Sequence, residues 1–239
     1  MVTYTVSSLR DINNAIIPHF DRYPLITQKN SDYLLFKQAI DLLNRKVHLE
    51  LEGIKQILSI KAALNKGLSD ALRFEFPTIL PDPRPIVSSD VVVPHPNWLT
   101  GFVDGEGCFY VLVSPAKGYS TGMRVKLTFY ITQHIRDVHL LSQIIEYLGC
   151  GRLDKVSTRP NEASFVVTKI GDILGKILPF FQSYPLQGVK KFDYRDFFEI
   201  AKIMEDKSHL TPEGLKKIKS LKSGMNKGRT LNSLFLLFI

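Results

Sequence analysis

The sequence predicts an α+β protein, and three features support that prediction. Apolar and polar residues alternate over 123–133, which is the period of a half-buried β-strand. Apolar residues recur at helical spacing in several longer segments, such as 32–43 and 138–148. One pattern of helical and turn-forming residues occurs twice in the chain, which indicates a duplicated unit.

The composition of the chain points to a polyanionic partner. The 239 residues carry a formal net charge of +8, and a basic balance favours binding to nucleic acid. Cys108 and Cys150 are too few for a disulfide framework or a zinc site, so we expect small buried thiols in a reducing compartment. No apolar run approaches the roughly 18 residues of a membrane span, and no cleavable signal opens the chain. The sequence therefore predicts no membrane association.

The first 96 residues show helical patterns followed by a proline-rich segment. A β-branched and aromatic run over 2–6 is typical of a strand. From residue 77 onward six prolines interrupt the chain, which indicates an extended interdomain linker over 77–96. The predicted helices run from Asp11, as N-cap, through Phe20, from Asp32 through Leu43, and from Leu51 to Leu64, with a stop at Asn65-Lys66-Gly67.

The segment 97–109, NWLTGFVDGEGCF, predicts a tightly packed helix that runs directly into a strand. Asn97 is a suitable N-cap for this helix. Gly101 and Gly105 are four residues apart and therefore share one helix face. Because glycines cost helix stability, a pair at this spacing indicates that another backbone approaches closely.

Two acids, Asp104 and Glu106, stand at the C-terminal end of this predicted helix. Helix C-termini carry a partial negative charge that favours cations, and carboxylates are ligands of hard divalent metals. A metal site is one interpretation of the pair. The alternative is a helix-to-strand turn with two solvated acids.

The segment after this helix predicts an antiparallel sheet with a helix packed on it. Alternation places Arg124, Lys126, Thr128 and Tyr130 on one face, and Val125, Leu127, Phe129 and Ile131 on the other. The predicted elements are strands over 109–114 and 123–133 joined by a turn at Lys117-Gly118-Tyr119, a helix over 138–148, a turn at 149–151, and strands over 152–157 and 164–169.

An internal repeat links the two halves of the chain. Asp172 matches Asp11, an offset of 172 − 11 = 161, and the offset holds without a gap from there onward. Tyr23-Pro24-Leu25, for example, recurs at 184–186. Most of the shared residues are apolar or turn-forming, so a shared fold explains them.

Two features of the repeat go beyond a shared fold. Lys29 and Lys190 occupy matching positions, although a solvated lysine is free to differ between copies. They are either site residues or a coincidence. The position that matches Glu106 falls before Met1, so we expect one full repeat preceded by the back half of another.

The run LTGFVDGEG, residues 99–107, resembles the LAGLIDADG signature of homing endonucleases, and the resemblance covers Val2 to about Arg229. It implies αββαββα-type repeats that pack through their signature helices and place antiparallel, saddle-shaped sheets in the DNA major groove. On that basis the domains are the C-terminal part of a first repeat over 1–76, the linker over 77–96, a complete second repeat over 97–229 and a tail over 230–239.

The resemblance also implies roles for individual residues. Glu106 would bind Mg²⁺ and help to generate the attacking hydroxide, with the Gly105 carbonyl as a further ligand. Ca²⁺ would bind there without supporting cleavage. Gln133 matches a position that orders water near the scissile phosphate, and an ordinary strand-end amide is the alternative. Lys29 and Lys190 match a basic residue beside the active site, where it balances phosphate charge.

DNA recognition would fall to the outward face of the sheet. Side chains at alternate strand positions can contact base edges or phosphates. The residues expected to bind DNA are Cys108, Tyr110, Leu112, Ser114, Arg124, Lys126, Thr128 and Tyr130 on the strands, with Lys117, Lys155 and Arg159 at strand ends.

The leading prediction is a Mg²⁺-dependent, site-specific double-strand DNA endonuclease of intron homing, encoded in the mitochondrion. A monomer without the first repeat's acid would not make a double-strand break. A longer protein, a complementary fragment with the first LAGLIDADG helix and a decayed reading frame are therefore the alternatives. Two other functions use the same scaffold, namely an RNA-binding maturase that helps intron RNA to splice and a noncatalytic DNA-binding remnant. The presence of Glu106, Gln133 and Lys190 favours cleavage.

Overall fold

The computed structural model describes residues 3–87, 92–155 and 157–229. The chain divides into two compact units, Met1–Ser89 (unit 1) and Asp90–Ile239 (unit 2). The described residues of unit 1 are helical or irregular, whereas unit 2 contains a four-stranded sheet. No helix among the described residues is both long and apolar enough to span a membrane.

Unit 1 is a small helical assembly with its own core. Leu35, Leu42 and Ile60 are buried together between its two long helices. Its helices are α1 (Leu9–Asp11), α2 (Ile17–Arg22), α3 (Lys29–Asn44), α4 (Leu51–Ala63) and α5 (Asp70–Glu75), with a π-helical turn over Ile12–Ile16 between α1 and α2.

Unit 2 begins with the glycine-containing helix and continues into the sheet. In chain order its elements are α6 (Pro96–Glu106), β1 (Gly107–Pro115), β2 (Met123–His134), α7 (Val138–Leu148), β3 (Arg152–Asp154), β4 (Glu162–Val167), α8 (Ile170–Asp172), α9 (Leu178–Ser183), α10 (Lys190–Glu205) and α11 (Pro212–Ser223). The predicted helix over 138–148 is confirmed residue for residue, and β1 and β2 extend the predicted strands by one to two residues at their ends.

The sheet is antiparallel throughout, with strand order β1-β2-β4-β3. One face is covered by apolar side chains, because the alternate residues of β1 and β2 from Phe109 to Ile131 are buried. Phe109 lies at the centre of this core, and its ring contacts those of Phe129, Phe181 and Phe197 at centroid distances of 5.0, 5.5 and 5.3 Å. The other face is free to contact a partner.

The 161-residue offset seen in the sequence holds in three dimensions. The π-helical turn over Ile12–Ile16 recurs at Ile173–Ile177. Gly53 and Gly214 are also equivalent, and each lies so close to a preceding carbonyl that an added Cβ would be 1.9 to 2.0 Å from its oxygen. Only glycine fits such a contact, so a steric requirement explains why both copies have it.

Helix starts differ from the predicted caps. Ser8, not Asp11, is the N-cap of the first helical segment, and its hydroxyl accepts a hydrogen bond from the Asp11 N–H at 3.4 Å. His95, not Asn97, is the N-cap of α6, because Pro96 occupies the first helical position. Proline suits that position, since it has a helical φ and no N–H to leave unpaired. Helix α3 begins at Lys29, three residues before the predicted Asp32.

Strand predictions were wrong in two places. Residues 3–6 form no strand, and Val2 lies outside the described residues. A strand needs a hydrogen-bonding neighbour, and every strand of the described chain belongs to unit 2. Strand β3 ends at Asp154, short of the predicted 157, although Val156 is not described. The predicted strand over 164–169 begins and ends two residues earlier.

The predicted tail over 230–239 lies outside the described residues.

The described part of the proline-rich segment is hydrogen-bonded to the helices of unit 1. Ser59 in α4 donates to the Leu80 carbonyl at 2.6 Å, and Ser31 in α3 donates to the Pro85 carbonyl at 2.7 Å. Residues 81–87 have no regular secondary structure. The segment up to residue 87 is therefore an extended covering layer on α3 and α4.

Candidate active site and nucleic-acid interface

Helix α6 places the two predicted acids at the point where helix turns into strand. Leu99 and Val103 are fully buried and anchor one side of the helix. Gly107 must be glycine, because an added Cβ would lie 2.6 Å from a methyl carbon of Val103. Gly101 and Gly105 face open space, with no atom within 4 Å of a Cβ built on either. The glycine face of α6 is therefore available to a second helix.

Glu106 is the last residue of α6, and β1 begins at the next residue. Its side chain is exposed and has no hydrogen-bond or ion-pair partner among the described residues. The next two residues along the chain lead to Cys108, the first outward-facing residue of β1. The Glu106 carboxylate is thus exposed and without a hydrogen bond to any described residue at the end of the helix that leads into the sheet.

Lys190 is the first residue of α10, and its ammonium group lies at the C-terminal end of α6. Its Nζ donates hydrogen bonds to the carbonyls of Val103 at 2.9 Å and Gly105 at 3.3 Å. Burial lowers the pKa of Lys190, and the nearby Cys108, Asp104, Glu106 and Asp193 partly oppose that shift. A cation in this position satisfies carbonyls that end a helix and offsets the partial negative charge there.

Asp104 holds the loop before α10 against α6. One carboxylate oxygen accepts hydrogen bonds from the backbone N–H groups of Gln187 at 2.8 Å and Gly188 at 3.0 Å. Thr100, one turn earlier on α6, donates to the Tyr184 carbonyl at 3.0 Å. Asp104 thus ties the loop before α10 to the end of α6 through one oxygen, while its other oxygen, Oδ1, is buried without a hydrogen-bond partner among the described residues. Of the two acids, Glu106 is the exposed one whose carboxylate makes no hydrogen bond among the described residues.

We expect Asp104→Ala to destabilise unit 2 by about 1–2 kcal/mol, because hydrogen bonds to a charged group contribute about 1.5–3 kcal/mol and this loop is exposed. The substitution leaves the N–H groups of Gln187 and Gly188, in the loop before α10, without their acceptor. Trp98 is the only tryptophan of the chain, so its fluorescence during urea unfolding reports on α6. Glu205→Ala, which removes an exposed ion pair with Lys202, is the control and should change stability by less than about 1 kcal/mol. Equal effects of the two substitutions would contradict a role of Asp104 in holding this loop.

Lys29, the counterpart of Lys190, has different partners in unit 1. Its Nζ donates to Asp32 at 2.9 Å and to the side-chain oxygen of Asn65 at 3.0 Å. Asp32 also accepts from Arg84 at 2.7 Å, and these two cations lower its pKa although burial opposes them. No described residue of unit 1 forms a signature helix whose carbonyls Lys29 could bind.

Gln133 lies near the end of β2, where it pairs with Ala163 in β4. It is two residues beyond Ile131, which pairs with Gly107 at the start of β1. By alternation Gln133 is in phase with the buried Ile131, not with the outward Tyr130, and it is half-buried. Its predicted role in ordering water stays a prediction.

The residues predicted to face DNA do share one face, called here the outer sheet face. The strand ladder pairs Cys108 with Tyr130, Tyr110 with Thr128, Leu112 with Lys126 and Ser114 with Arg124. Lys117 lies in the exposed turn between the two strands, and Lys155 is exposed after β3. A hydrogen bond with Cys108, together with burial, raises the pKa of Tyr130 to about 12. The single O–H of Tyr130 is therefore engaged on the outer sheet face.

Sequence reasoning missed several residues of this face. Thr132 and Ser164 are joined by a hydroxyl hydrogen bond of 2.7 Å across β2 and β4. Arg152 on β3 forms a two-bond ion pair with Asp154, each bond 2.8 Å long. Continued alternation along β2 could have identified Thr132, whereas β3 is too short for a period-2 signal.

The donor set at the end of α6 suits a hard divalent cation. Carboxylate and carbonyl oxygens are the ligands that Mg²⁺ and Ca²⁺ prefer, and Mg²⁺ usually takes only one or two carboxylates plus water and substrate phosphate. Glu106 supplies a free carboxylate, and the Gly105 carbonyl keeps a second lone pair beside its bond to Lys190. No group of three or more His, Cys, Asp and Glu side chains in the described part of the chain could form a metal cage. The residues therefore fit an open site completed by substrate.

The family to which the chain belongs is shown by comparing its sequence with the sequence patterns of known protein families. The sequence pattern of the LAGLIDADG endonuclease family matches residues 1–40 and 99–201. The chain is a member of the LAGLIDADG endonuclease family. Within it, the chain is 42% identical to Probable intron-encoded endonuclease 3 of Neurospora crassa over 221 residues, 92% of this chain and 41% of that protein. It is 39% identical to Probable intron-encoded endonuclease 2 of the same organism, over 94% of this chain and 50% of that protein. The chain thus spans half or less of the length of these relatives.

Solved structures show the same fold. The structure of the I-SmaMI LAGLIDADG homing endonuclease bound to cleaved DNA aligns with a TM-score of 0.91 and 46% identity, over 94% of this chain and 74% of that one. I-SmaMI bound to its uncleaved DNA target in the presence of calcium ions aligns with a TM-score of 0.89. The expected α+β LAGLIDADG fold is therefore confirmed.

Proposed function

We propose that the chain is part of a Mg²⁺-dependent, site-specific DNA endonuclease of intron homing. The observation that carries the proposal is the exposed Glu106 carboxylate at the end of α6, which is close enough to Lys190 to interact with it electrostatically. The names of its relatives in Neurospora crassa, which describe intron-encoded endonucleases, support intron homing, and we propose a mitochondrial origin with it. The structures of I-SmaMI with DNA, one of them in the presence of calcium ions, support a DNA substrate and a divalent cation.

The residues around Glu106 would each have a separate role in the cleavage reaction. A Mg²⁺ ion held by Glu106 and the Gly105 carbonyl would activate a water molecule and offset charge on the phosphate. Lys190 supports the Gly105 carbonyl and adds a positive charge beside the phosphate. The outer sheet face would bind the duplex through base edges and phosphates, which positions one phosphodiester at Glu106.

A double-strand break needs a second acid, since one carboxylate serves one strand. The open glycine face of α6 supports packing against another signature helix. The described residues of unit 1 contain no such helix, so we propose that a signature helix from outside these residues supplies it. In this arrangement unit 1 is the C-terminal part of the first repeat, and Lys29 serves the second acid.

The test uses a duplex selected from a random library by the purified 239-residue chain in Ca²⁺. After exchange into Mg²⁺, we expect this chain to nick one strand at one phosphate, and a fragment carrying the missing helix to convert nicks into double-strand breaks. Chelation of the metal should stop both reactions. Selection of no duplex, or cleavage that survives chelation, would contradict the proposal. Tight binding of intron RNA without DNA cleavage would instead favour a maturase.

We expect Lys190→Met to lower the cleavage rate by about 10- to 100-fold, because loss of a hydrogen bond to a charged group costs about 1.5–3 kcal/mol. The substitution removes the cation that bonds to Val103 and Gly105. Single-turnover rates in Mg²⁺ measure the effect, and affinity in Ca²⁺ measures binding separately. Lys202→Met, which removes an exposed lysine paired with Glu205, should leave the rate unchanged. A loss of affinity with an unchanged rate would contradict a role in the reaction.

A further inference from the structure

Helix α11 and the turn after it present an unusual set of lysines. Some exposed cations of unit 2 have acidic partners, such as Lys202 with Glu205. The lysines of this segment with no ion pair or hydrogen bond among the described residues are Lys216, Lys217, Lys219, Lys222 and Lys227. This segment therefore carries a dense group of unpaired positive charges, and nothing in the proposed active site uses them.

Two of these lysines border a cleft that opens onto the outer sheet face. Lys222 and Lys227 line it together with the turn residue Asn226, which lies between them along the chain. Its other lining residues are Cys108, Tyr110, Val111 and Tyr130 on the strands and Met225 before the turn. We call the space lined by these eight residues the lysine cleft. Its volume of about 600 Å³ is in the range of ligand-binding pockets and admits a nucleotide unit.

The turn that carries Lys227 is held in place. Asn226 has a left-handed backbone with φ of 54°. Its backbone N–H donates to Asp193 at 3.0 Å, and its side-chain amide donates to the Phe109 carbonyl at 3.1 Å. Its side-chain oxygen accepts from the Cys108 thiol at 3.6 Å. Lys227 is thus fixed relative to β1, the strand that begins directly after Glu106.

The cleft is a property of unit 2 and not of the duplicated fold. Lys61 in α4 matches Lys222 by the 161-residue offset, but its Nζ donates to the Gly67 carbonyl at 2.7 Å. Leu58 matches Lys219 and is buried. Helix α4, the equivalent of α11 in unit 1, therefore has fewer lysines, and its Lys61 is hydrogen-bonded within unit 1. A shared fold alone does not explain the free lysines of α11.

We propose that the lysine cleft binds a backbone phosphate of the DNA duplex that lies on the outer sheet face. The proposal extends the proposed function by naming a second contact region beside the strands. Lysine is a compact point charge that suits phosphate contacts, and two lysines line the same cleft. Contacts of this kind fix the register of a protein on DNA without reading its sequence.

The test is the salt dependence of DNA affinity. The probe is the duplex selected by the wild-type chain, bound in Ca²⁺ at several NaCl concentrations. Each lost phosphate contact should reduce the slope of log K against log salt concentration by about 0.9. We expect that reduction for Lys222→Ala, for Lys227→Ala, and additively for the double variant. Lys216→Ala, on the same helix but outside the cleft, should keep the wild-type slope.

The possible results separate the two proposals. If the wild-type chain selects no duplex, the lysine cleft and the proposed function are both overturned. If it binds a duplex but the cleft variants keep the wild-type slope, the cleft alone is overturned. If Lys216→Ala lowers the slope as much as the cleft variants do, the lysine cleft is also overturned. The effect on affinity would then come from the overall positive charge of the helix and not from a contact in the cleft. Unfolding followed by Trp98 fluorescence confirms that each variant is folded.

Discussion

Glu106→Gln is expected to lower Mg²⁺-dependent cleavage by at least about 10²–10³-fold, the effect of removing one group that stabilises transition-state charge. The amide keeps the shape of the side chain but is a poor ligand for a hard cation. Glu106 has no hydrogen bond or ion pair among the described residues. The substitution should therefore weaken metal binding and leave the free energy of unfolding nearly unchanged. Binding of the selected duplex in Ca²⁺ should change little, because the outer sheet face supplies most of the contacts.

Single-turnover cleavage and Ca²⁺ binding, measured on the same preparation, test this expectation. Glu199→Gln is the matched control, since Glu199 is an exposed glutamate of α10 in the same unit. It should cut at the wild-type rate. Undiminished cleavage by Glu106→Gln would remove this residue from the mechanism.

Arg229→Met is expected to destabilise unit 2 by about 3–5 kcal/mol, the cost of leaving buried charges without their partner. The Arg229 side chain is only 6% exposed. It donates two hydrogen bonds to Asp193, at 2.9 and 3.1 Å, and one to Asp196 at 2.5 Å. These carboxylates raise the pKa of Arg229 despite its burial. Methionine fills similar space but leaves both acids uncompensated.

Urea unfolding followed by Trp98 fluorescence measures the effect. Arg195→Met is the control, because Arg195 is about half exposed and lies 3.9 Å from Asp196. Exposed pairs of this kind contribute about 0–1 kcal/mol. Since Asp193 also binds the backbone of Asn226, Arg229→Met should loosen the turn that carries Lys227. Stability equal to that of the control would show that the two acids do not depend on Arg229.

Much of the fold could be predicted from the sequence. The period of 2 along 124–131 assigned these residues of β2 to the correct faces, and helical spacing defined α7 to the residue. The repeat indicated in advance that the helices of unit 1 recur in unit 2. Helix starts were less well predicted, because Ser8 and His95 act through single hydrogen bonds that leave no periodic signal.

The candidate site was only partly visible. The glycine spacing and the helix end pointed to two acids, Asp104 and Glu106, and the family resemblance, together with the repeat, favoured Glu106 and Lys190. Asp104 was ambiguous, because its partners Gln187 and Gly188 lie more than 80 residues away in the chain. Lys222 and Lys227 gave no signal, because exposed lysines are common and their cleft depends on the placement of Asn226.

By itself, the sequence determined the α+β class, the two faces of the sheet, the duplication and the acid at the foot of the glycine-faced helix. These are local properties, since the backbone repeat of a helix or strand sets which side chains share a face. Only the tertiary structure decided which acid is free, what Lys190 bonds to and where the lysines of α11 gather. Those contacts join residues far apart in the chain, and packing around the buried phenylalanines of unit 2, not local periodicity, brings them together.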